Sequence, residues 1–328
     1  MLTSQRNEAR RVQSAWLTQT HMSLLSEIEA VRAAAILEHV QTLLPTRHES
    51  KEAPGEEQAA LELQVGARLD RGIQRKDRPN EDSLFVTQGV LHASSAPPTP
   101  FALFVVADGM GGHTHGQEAS QLAMQALIEY VYASLFSGPM LPDTFVTLLR
   151  EGIQAANQKV YQRTQEERTM MGTTITAALV IGATAYVANV GDSRTYVYHN
   201  TFGLAQITHD HSVVAALVQA GVIEPDDIYT HPRRNQIYRC LGEKPDVEVD
   251  TFVVSLSDGD LLLLCSDGLW EMVRDQQIEV ILTDLTSSPS QQASALVQAA
   301  LSGGGADNVS VIVARVRETT GNDTLLIT

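Results

Sequence analysis

Five aspartates in this chain stand where a carboxylate could be held rigidly beside freely turning backbone. Asp108 closes the apolar run Val105-Val-Ala107 and is followed at once by Gly109-Met-Gly-Gly112. Asp267 follows the apolar stretch beginning at Leu261 and precedes Gly268, and Asp192 follows Tyr186-Val-Ala-Asn-Val-Gly191. Asp82 lies in Pro79-Asn-Glu-Asp-Ser83, and Asp307 in Gly305-Ala-Asp-Asn308. A strand end fixes such a carboxylate, and a neighbouring glycine lets the backbone approach a ligand closely. Oxygen donors without nitrogen or sulfur suit hard cations such as Mg2+ and Mn2+. Two unit charges about 4 Å apart repel by roughly 4 kcal/mol at an effective dielectric of about 20, so converging carboxylates need cations among them. Any one Asp-Gly pair is an ordinary turn signal. Five such sites, three of them preceded by apolar strands, point to one shared metal centre.

Other chemistries leave no trace. No Cys-x-x-Cys or His-Glu-x-x-His spacing supports zinc, no Gly-x-Ser-x-Gly elbow presents a nucleophilic serine, and no glycine loop continues into Gly-Lys-Ser/Thr. His113 and His115 follow the glycine turn and read more simply as loop histidines. A basic group, Arg75-Lys-Asp-Arg78, precedes the Glu81-Asp82 pair. A guanidinium grips a phosphate through two parallel hydrogen bonds, so an arginine beside a carboxylate-metal site reads as a phosphate ligand. Arg75 and Arg78 are both candidates.

The elements that must position these residues follow from periodicity. Leu61, Leu63, Val65, Ala67 and Leu69 alternate as in a half-buried strand, and strands are expected at 84–86 and 101–107 with a Ser/Pro-rich loop at 93–100 between them. Helices are expected at 117–135 and 143–165, then strands at 173–181, 185–190 and 194–198. An irregular insertion with a short helix occupies about 210–245, followed by strands at 247–254 and 260–266. Helices at 275–284 and 290–301 precede a last strand at 309–316. Strict βαβα alternation is absent, which disfavours a doubly wound parallel sheet. Packed antiparallel sheets with helix pairs outside fit the order better.

Residues 1 to about 45 carry apolar positions at helical steps, from Leu17, Leu24 and Ile28 to Val40 and Leu43, and Pro45 ends the run. This segment reads as a helix packed on the main domain or as a hairpin or coiled coil for dimerisation or partner docking; a polar linker follows to Glu57. The 328 residues carry a net charge of −16, which argues against nucleic acid and anionic membranes as partners. The two cysteines suggest no disulfide framework, and Cys265 reads as a buried thiol. With no apolar run long enough for a membrane helix and no signal-peptide core, a cytoplasmic protein is expected.

These pieces together resemble the metal-dependent serine/threonine protein phosphatases of type 2C, especially bacterial members. The matching segments are Asn80-Glu-Asp-Ser83, Val106-Ala-Asp-Gly-Met-Gly-Gly-His113, Gly116–Ser120, Met171-Gly-Thr-Thr174, Val190-Gly-Asp-Ser-Arg194, Asp210-His-Ser212, Thr230-His-Pro-Arg-Arg234, Leu264-Cys-Ser-Asp-Gly-Leu269 and Asp307-Asn308. They occur in the family's order across residues 62 to 316. The resemblance implies an α+β fold, a four-layer α-β-β-α sandwich of two antiparallel sheets flanked by helix pairs. It implies a catalytic domain at 59–318 with a mobile flap at about 210–245; the helical extension and linker at 1–58 and a tail at 319–328 lie outside it.

The resemblance also implies two Mn2+ or Mg2+ ions, with a third in bacterial members. Asp108 would bridge the two; Asp267 and Asp307 would complete one, and Asp82 with the Gly109 carbonyl the other, with Glu81 beside them. Asp192 with Asp267 would hold the third. Phosphoserine and phosphothreonine of proteins would be hydrolysed directly by a metal-bridging hydroxide, the substrates being targets of serine/threonine kinases. The family's phosphate-binding arginine falls at Asp77 here, so a short insertion would hand the role to Arg75, favoured over Arg78. Met110 stands where many eukaryotic members have a proton-donating histidine. Rival readings are a pseudophosphatase that acts by docking, a hydrolase of small phosphoesters, and an assembly subunit built on the N-terminal helix.

Overall fold

The computed structural model describes residues 60–319 apart from 94, 95, 113 and 139. The expected N-terminal helix with its docking role, its linker, the C-terminal tail beyond 319, and His113 lie outside the described residues. All the described strands and helices lie within one compact unit, which begins at Gln58.

Eleven described strands form two antiparallel sheets. One has the order β1 (Ala60–Asp70), β11 (Val309–Thr319), β10 (Leu261–Cys265), β7 (Arg194–His199), β8 (Gly203–Gln206). The other runs β2 (Asp82–Ala93), β3 (Ala96–Met110), β5 (Ile175–Ile181), β6 (Thr184–Val190), β9 (Asp250–Ser255), with the short β4 (Gly172–Thr173) paired to the end of β3. The two-residue period of a strand explains the layers. Along β3, Ala102, Phe104 and Val106 face the other sheet, where Leu262, Leu264, Ile312 and Ala314 meet them. Leu103, Val105 and Ala107 point the other way, onto helices α1 (Thr114–Leu135) and α2 (Pro142–Glu167). With both faces buried, β3 reads as a continuous apolar run.

The outer face of the first sheet is covered by α4 (Asp267–Trp270), α5 (Asp275–Leu282) and α6 (Pro289–Ser302), through Trp270, Ile278, Leu296 and Val311. α1 buries Ala119, Ala123, Leu127, Val131 and Leu135, one stripe at four-residue steps. The layers are therefore helix, sheet, sheet, helix, as expected. Between β8 and β9 the chain carries α3 (Val213–Gln219) and a 3-10 turn at Pro225–Tyr229, the irregular insertion.

Several boundaries differ from expectation. The Ser/Pro-rich stretch at 93–100 is for the most part not a loop: β2 and β3 stay paired up to Val90 opposite Pro100 and Leu91 opposite Thr99. β3 pairs with β5 only from Phe101 onward, so the missing N–H of Pro100 interrupts no ladder on that side. β8 and α4 were not anticipated; at four residues each they are too short to show a period. The strand expected at 247–254 forms at Asp250–Ser255. Among the described residues no helix is long and apolar enough to cross a membrane.

Candidate metal centre

The strand ends bring the five aspartates together at one end of the sandwich. Asp82 opens β2 directly opposite Asp108 near the end of β3. In the other sheet Ser266 follows β10 and Ser310 lies in β11, joined by Ser266 N–H to Ser310 O (3.2 Å) and Ser310 N–H to Ser266 Oγ (2.9 Å). Asp267 and Asp307 flank that junction. Asp192 lies in the turn after β6, and the Trp270 indole donates to its carbonyl (3.0 Å), tying the turn to α4.

Hydroxyls aim the carboxylates. Asp82 Oδ2 accepts from Ser266 Oγ and Ser310 Oγ, both at 2.7 Å, while Asp82 Oδ1 is buried with no hydrogen-bond partner. Asp267 Oδ1 is likewise buried and unpartnered. Leaving a buried acceptor unsatisfied costs about 1–3 kcal/mol, more for a charged one, and two in one place mark a position for a ligand that accepts their lone pairs. Asp108 is gripped through its backbone: its N–H donates to Thr174 Oγ1 (3.0 Å), and its carbonyl accepts from Thr174 N–H and Thr173 Oγ1, both at 2.8 Å. Thr174 Oγ1 in turn lies 2.7 Å from Ser193 Oγ, beside Asp192. Glu81 N–H donates to Asn308 Oδ1 (2.8 Å), and Glu81 O accepts from Gly109 N–H (3.2 Å) and Ser120 Oγ (2.6 Å). A Cβ on Gly109 would stand 2.0 Å from Gly116 O and 2.6 Å from Glu81 O, so only glycine permits that approach.

Electrostatics show that the five carboxylates act on one another. Burial first, then repulsion from Asp267, Asp82, Asp307 and Asp192, pushes Asp108 well above the usual carboxylate range. Burial, then Asp267 and Asp210, does the same to Asp192. Asp82 is raised to about 6, by burial and the Asp307 charge against the opposing serine hydrogen bonds. Asp267 rises to about 7 through burial, Glu271 and Asp82, and Asp307 to about 7 through burial and Asp267. Yet among the described residues no three His, Cys, Asp or Glu side chains already stand as a ligand set. Arg75 partly neutralises the cluster. Its Nη1 lies 3.2 Å from Glu81 Oε2 and its Nη2 2.7 Å from Asp307 Oδ2. The donor set is all oxygen, with two orphaned carboxylate oxygens, and it suits a hard divalent cation.

Of the two basic candidates, Arg75 sits among the carboxylates. Arg78 is exposed, its backbone N–H closing the turn on Arg75 O (2.9 Å). Thr173, Thr174, Ser193, Ser266, Ser310 and Asn308 were given no role from sequence, although all but Ser310 lie in the quoted motifs and three of them, Ser193, Ser266 and Asn308, adjoin an aspartate. Glu271 was missed altogether; four residues after Asp267, it lies one helical turn along, and Arg234 Nε of the insertion approaches it at 3.6 Å. The insertion is also stacked on α5, with the Arg274 guanidinium 3.1 Å from the Tyr229 ring centre.

Comparison with known proteins agrees with this geometry. Residues 71–303 match the family described as Protein phosphatase 2C. The chain belongs to the protein phosphatase 2C family. Its relatives include the Serine/threonine phosphatase stp of Listeria welshimeri, 39% identical over 248 residues, which span 75% of this chain and 93% of that one. The crystal structure of the Mycobacterium tuberculosis serine/threonine phosphatase PstP/Ppp superposes with a TM-score of 0.66 at 35% identity, covering 78% of this chain and 99% of that one. The catalytic domain of PstP solved in complex with two manganese ions gives a TM-score of 0.64 at 34% identity, covering 79% of this chain and all of that one. As a member of this family, of the type represented in bacteria, the protein is a serine/threonine protein phosphatase.

Proposed function

We propose that the protein hydrolyses phosphoserine and phosphothreonine in proteins phosphorylated by serine/threonine kinases, and that residues 59–318 are the catalytic domain with the flap at about 210–245. The observation that carries this reading is the pair of orphaned buried oxygens, on Asp82 and Asp267, inside a cluster of five mutually repelling aspartates. In this reading Asp82, Asp108, Asp267, Asp307 and the Gly109 carbonyl hold two Mn2+ or Mg2+ ions, with Glu81 beside them and Asp192 with Asp267 offering a third position. Such ions polarise phosphoryl oxygens and lower the pKa of water from about 16 to near 7, supplying a nucleophile at neutral pH.

The chain's own residues prepare this chemistry. Ser266 and Ser310 occupy Asp82 Oδ2 and so leave Oδ1 to face the centre. Thr173 and Thr174 fix the Asp108 backbone, so its carboxylate pivots on a held point. Arg75 lies in reach of the same carboxylates, and its planar fork takes two phosphoryl oxygens when a substrate competes with Asp307. Direct hydrolysis is supported by the lack of an activated thiol: burial drives the Cys265 thiol far up and Cys240 to about 11. Met110 has no proton to give the leaving oxygen, so that proton comes from water or from another group at the site.

The test is phosphate release from a phosphothreonine peptide with Mn2+, with Mg2+ and after chelation, for the wild type beside Asp267→Asn. Metal-dependent release that the variant loses is expected. No release from folded wild type with either metal would refute the reading and favour a docking pseudophosphatase, and a preference for a sugar phosphate would overturn the substrate class.

A further inference from the structure

The loop between β1 and β2 carries more positive charge than the metal centre uses. Its residues Arg71-Gly-Ile-Gln-Arg-Lys-Asp-Arg78 hold four of the chain's 23 Lys and Arg residues and one acid, so the stretch is net positive in a chain of net charge −16. Arg75 is engaged by Glu81 and Asp307. Arg71, Lys76 and Arg78 are exposed, and among the described residues none of their side chains has an ion-pair or hydrogen-bond partner. Cations that the protein's own carboxylates leave unpaired remain available to an anion from outside it.

The loop is fixed at its base to the residues that build the centre. Arg71 O accepts from Asn308 Nδ2 at 2.8 Å, Gly72 N–H donates to Asp70 Oδ1 at 2.8 Å, and Gln74 N–H donates to Gly305 O at 3.0 Å. Gly72 has a left-handed φ of 75°, and a Cβ there would stand 2.0 Å from Asp307 O. Asn308 also receives the Glu81 amide on its Oδ1. The contacts that place Asp307 and Glu81 therefore place the loop as well, and its tip turns back through Arg78 N–H to Arg75 O (2.9 Å). Lys76 and Arg78 are one and three residues from the arginine whose fork reaches Asp307, so their Cα atoms lie within about 4 and about 7 Å of its own. A peptide held at the centre by its phosphoryl group advances about 3.5 Å per residue, so positions two or three away from the phosphorylated one fall about 7–10 Å off, where these two cations can meet them.

We propose that this loop selects phosphopeptides with acidic side chains flanking the phosphoserine or phosphothreonine, with Lys76 and Arg78 as the contacts. The proposal rests on the reading of the centre as a phosphoprotein phosphatase site. The chain's overall charge taken alone gives the opposite preference, because an acidic protein repels an acidic peptide at long range. Local fixed cations beside the centre reverse that sign, so the loop and the bulk charge make opposed predictions.

The experiment measures steady-state kinetics of the full chain with Mn2+ on three phosphothreonine peptides. They are alike except at the positions two and three residues away on either side, which are alanine, glutamate or lysine. An exposed ion pair is worth a factor of about 1.5–5, so two should place KM for the glutamate peptide roughly fivefold below that for the alanine peptide, with a smaller change in kcat. The preference should shrink as ionic strength rises from about 0.02 M to about 0.5 M, because the pairs are open to solvent. In the double variant Lys76→Glu with Arg78→Glu the order should invert, the lysine peptide becoming the better substrate. Its melting temperature should stay at the wild-type value, since neither side chain has a partner to lose. The proposal is overturned if the wild type prefers the alanine or the lysine peptide, or if the charge-reversed variant keeps the wild-type order. Release from none of the three peptides by folded wild type would refute the phosphatase reading itself, whereas equal hydrolysis of all three would refute only the selection.

Discussion

Stripping the metals should make this phosphatase less stable as the pH rises through the mildly acidic range, the reverse of what paired carboxylates usually do. Asp82 is raised to about 6 and Asp267 and Asp307 to about 7, against an ordinary carboxylate value of about 4. Burial is the leading cause for all three. Between about pH 4 and about pH 7 the folded, metal-free protein therefore holds protons that the unfolded chain has released, and stability falls as pH rises through that window. One retained proton amounts to about 1.4 kcal/mol per pH unit, and three to about 4 kcal/mol per pH unit. For a chain of this size one proton shifts the melting temperature by roughly 2–3 °C per pH unit. The assay is thermal melting by circular dichroism on chelated protein from about pH 5 to about pH 7, with a parallel series in Mn2+, where the fall should flatten because bound cations replace the protons. Asp267→Asn removes both a titrating group and the charge that repels Asp108 and Asp192, so the chelated variant should melt above chelated wild type at neutral pH while being inactive. A chelated wild type whose melting temperature stays level or climbs over this range, with Asp267→Asn no more stable, would refute the convergence of these carboxylates.

Two further predictions test single residues. Arg75→Ala should raise KM for a phosphothreonine peptide about tenfold, equivalent to about 1.4 kcal/mol of lost binding, with a smaller loss in kcat and with Arg78→Ala near wild type; steady-state kinetics showing the opposite pattern would mean that the turn at 75–78 is read in the wrong register. Gly109→Ala should abolish tight Mn2+ binding by calorimetry and cost more than about 2 kcal/mol in a urea melt, because its Cβ would fall 2.0 Å from Gly116 O; a variant that binds and folds as the wild type does would show that the backbone there is not tightly held.

The five aspartates were legible because three of them close an apolar strand and all five lie by a glycine or asparagine, and because a sheet sandwich delivers strand ends to a common edge. Asp82 and Asp108 needed only the register of one hairpin. The groups that aim them were not legible. Ser310 reaches Asp82 from a different sheet, 228 residues away, and a serine inside the apolar strand β11 carries no sign of that contact. Thr174 grips the Asp108 backbone rather than a side chain, a contact to which any hydroxyl-bearing residue would look equivalent in sequence. The hairpin at 90–100 was hidden for the opposite reason. Its prolines are strong loop signals, and only the absence of a β5 partner beyond Phe101 makes them tolerable there. Local chemistry predicts local geometry well, and misses what depends on which strand lies next door.

Dependence on neighbouring strands also explains why the centre is built from both sheets. A cluster of five aspartates, two of them buried and three half-buried, opposes folding, and no single hairpin could hold it. The serine pair Ser266 and Ser310 sits in the first sheet and holds Asp82 in the second, so the clamp that spends two hydroxyls on one carboxylate oxygen is also a bond between the layers. Asn308 does the same for Glu81, with Oδ1 on the Glu81 amide and Nδ2 on the Arg71 carbonyl. The apolar faces between the sheets bring the layers together without regard to charge, and these few polar bonds decide where the carboxylates stop. It follows that loss of the Ser310 hydroxyl should harm metal affinity more than stability, because the core that closes the sandwich stays intact while Asp82 gains the freedom to turn its second oxygen away from the centre.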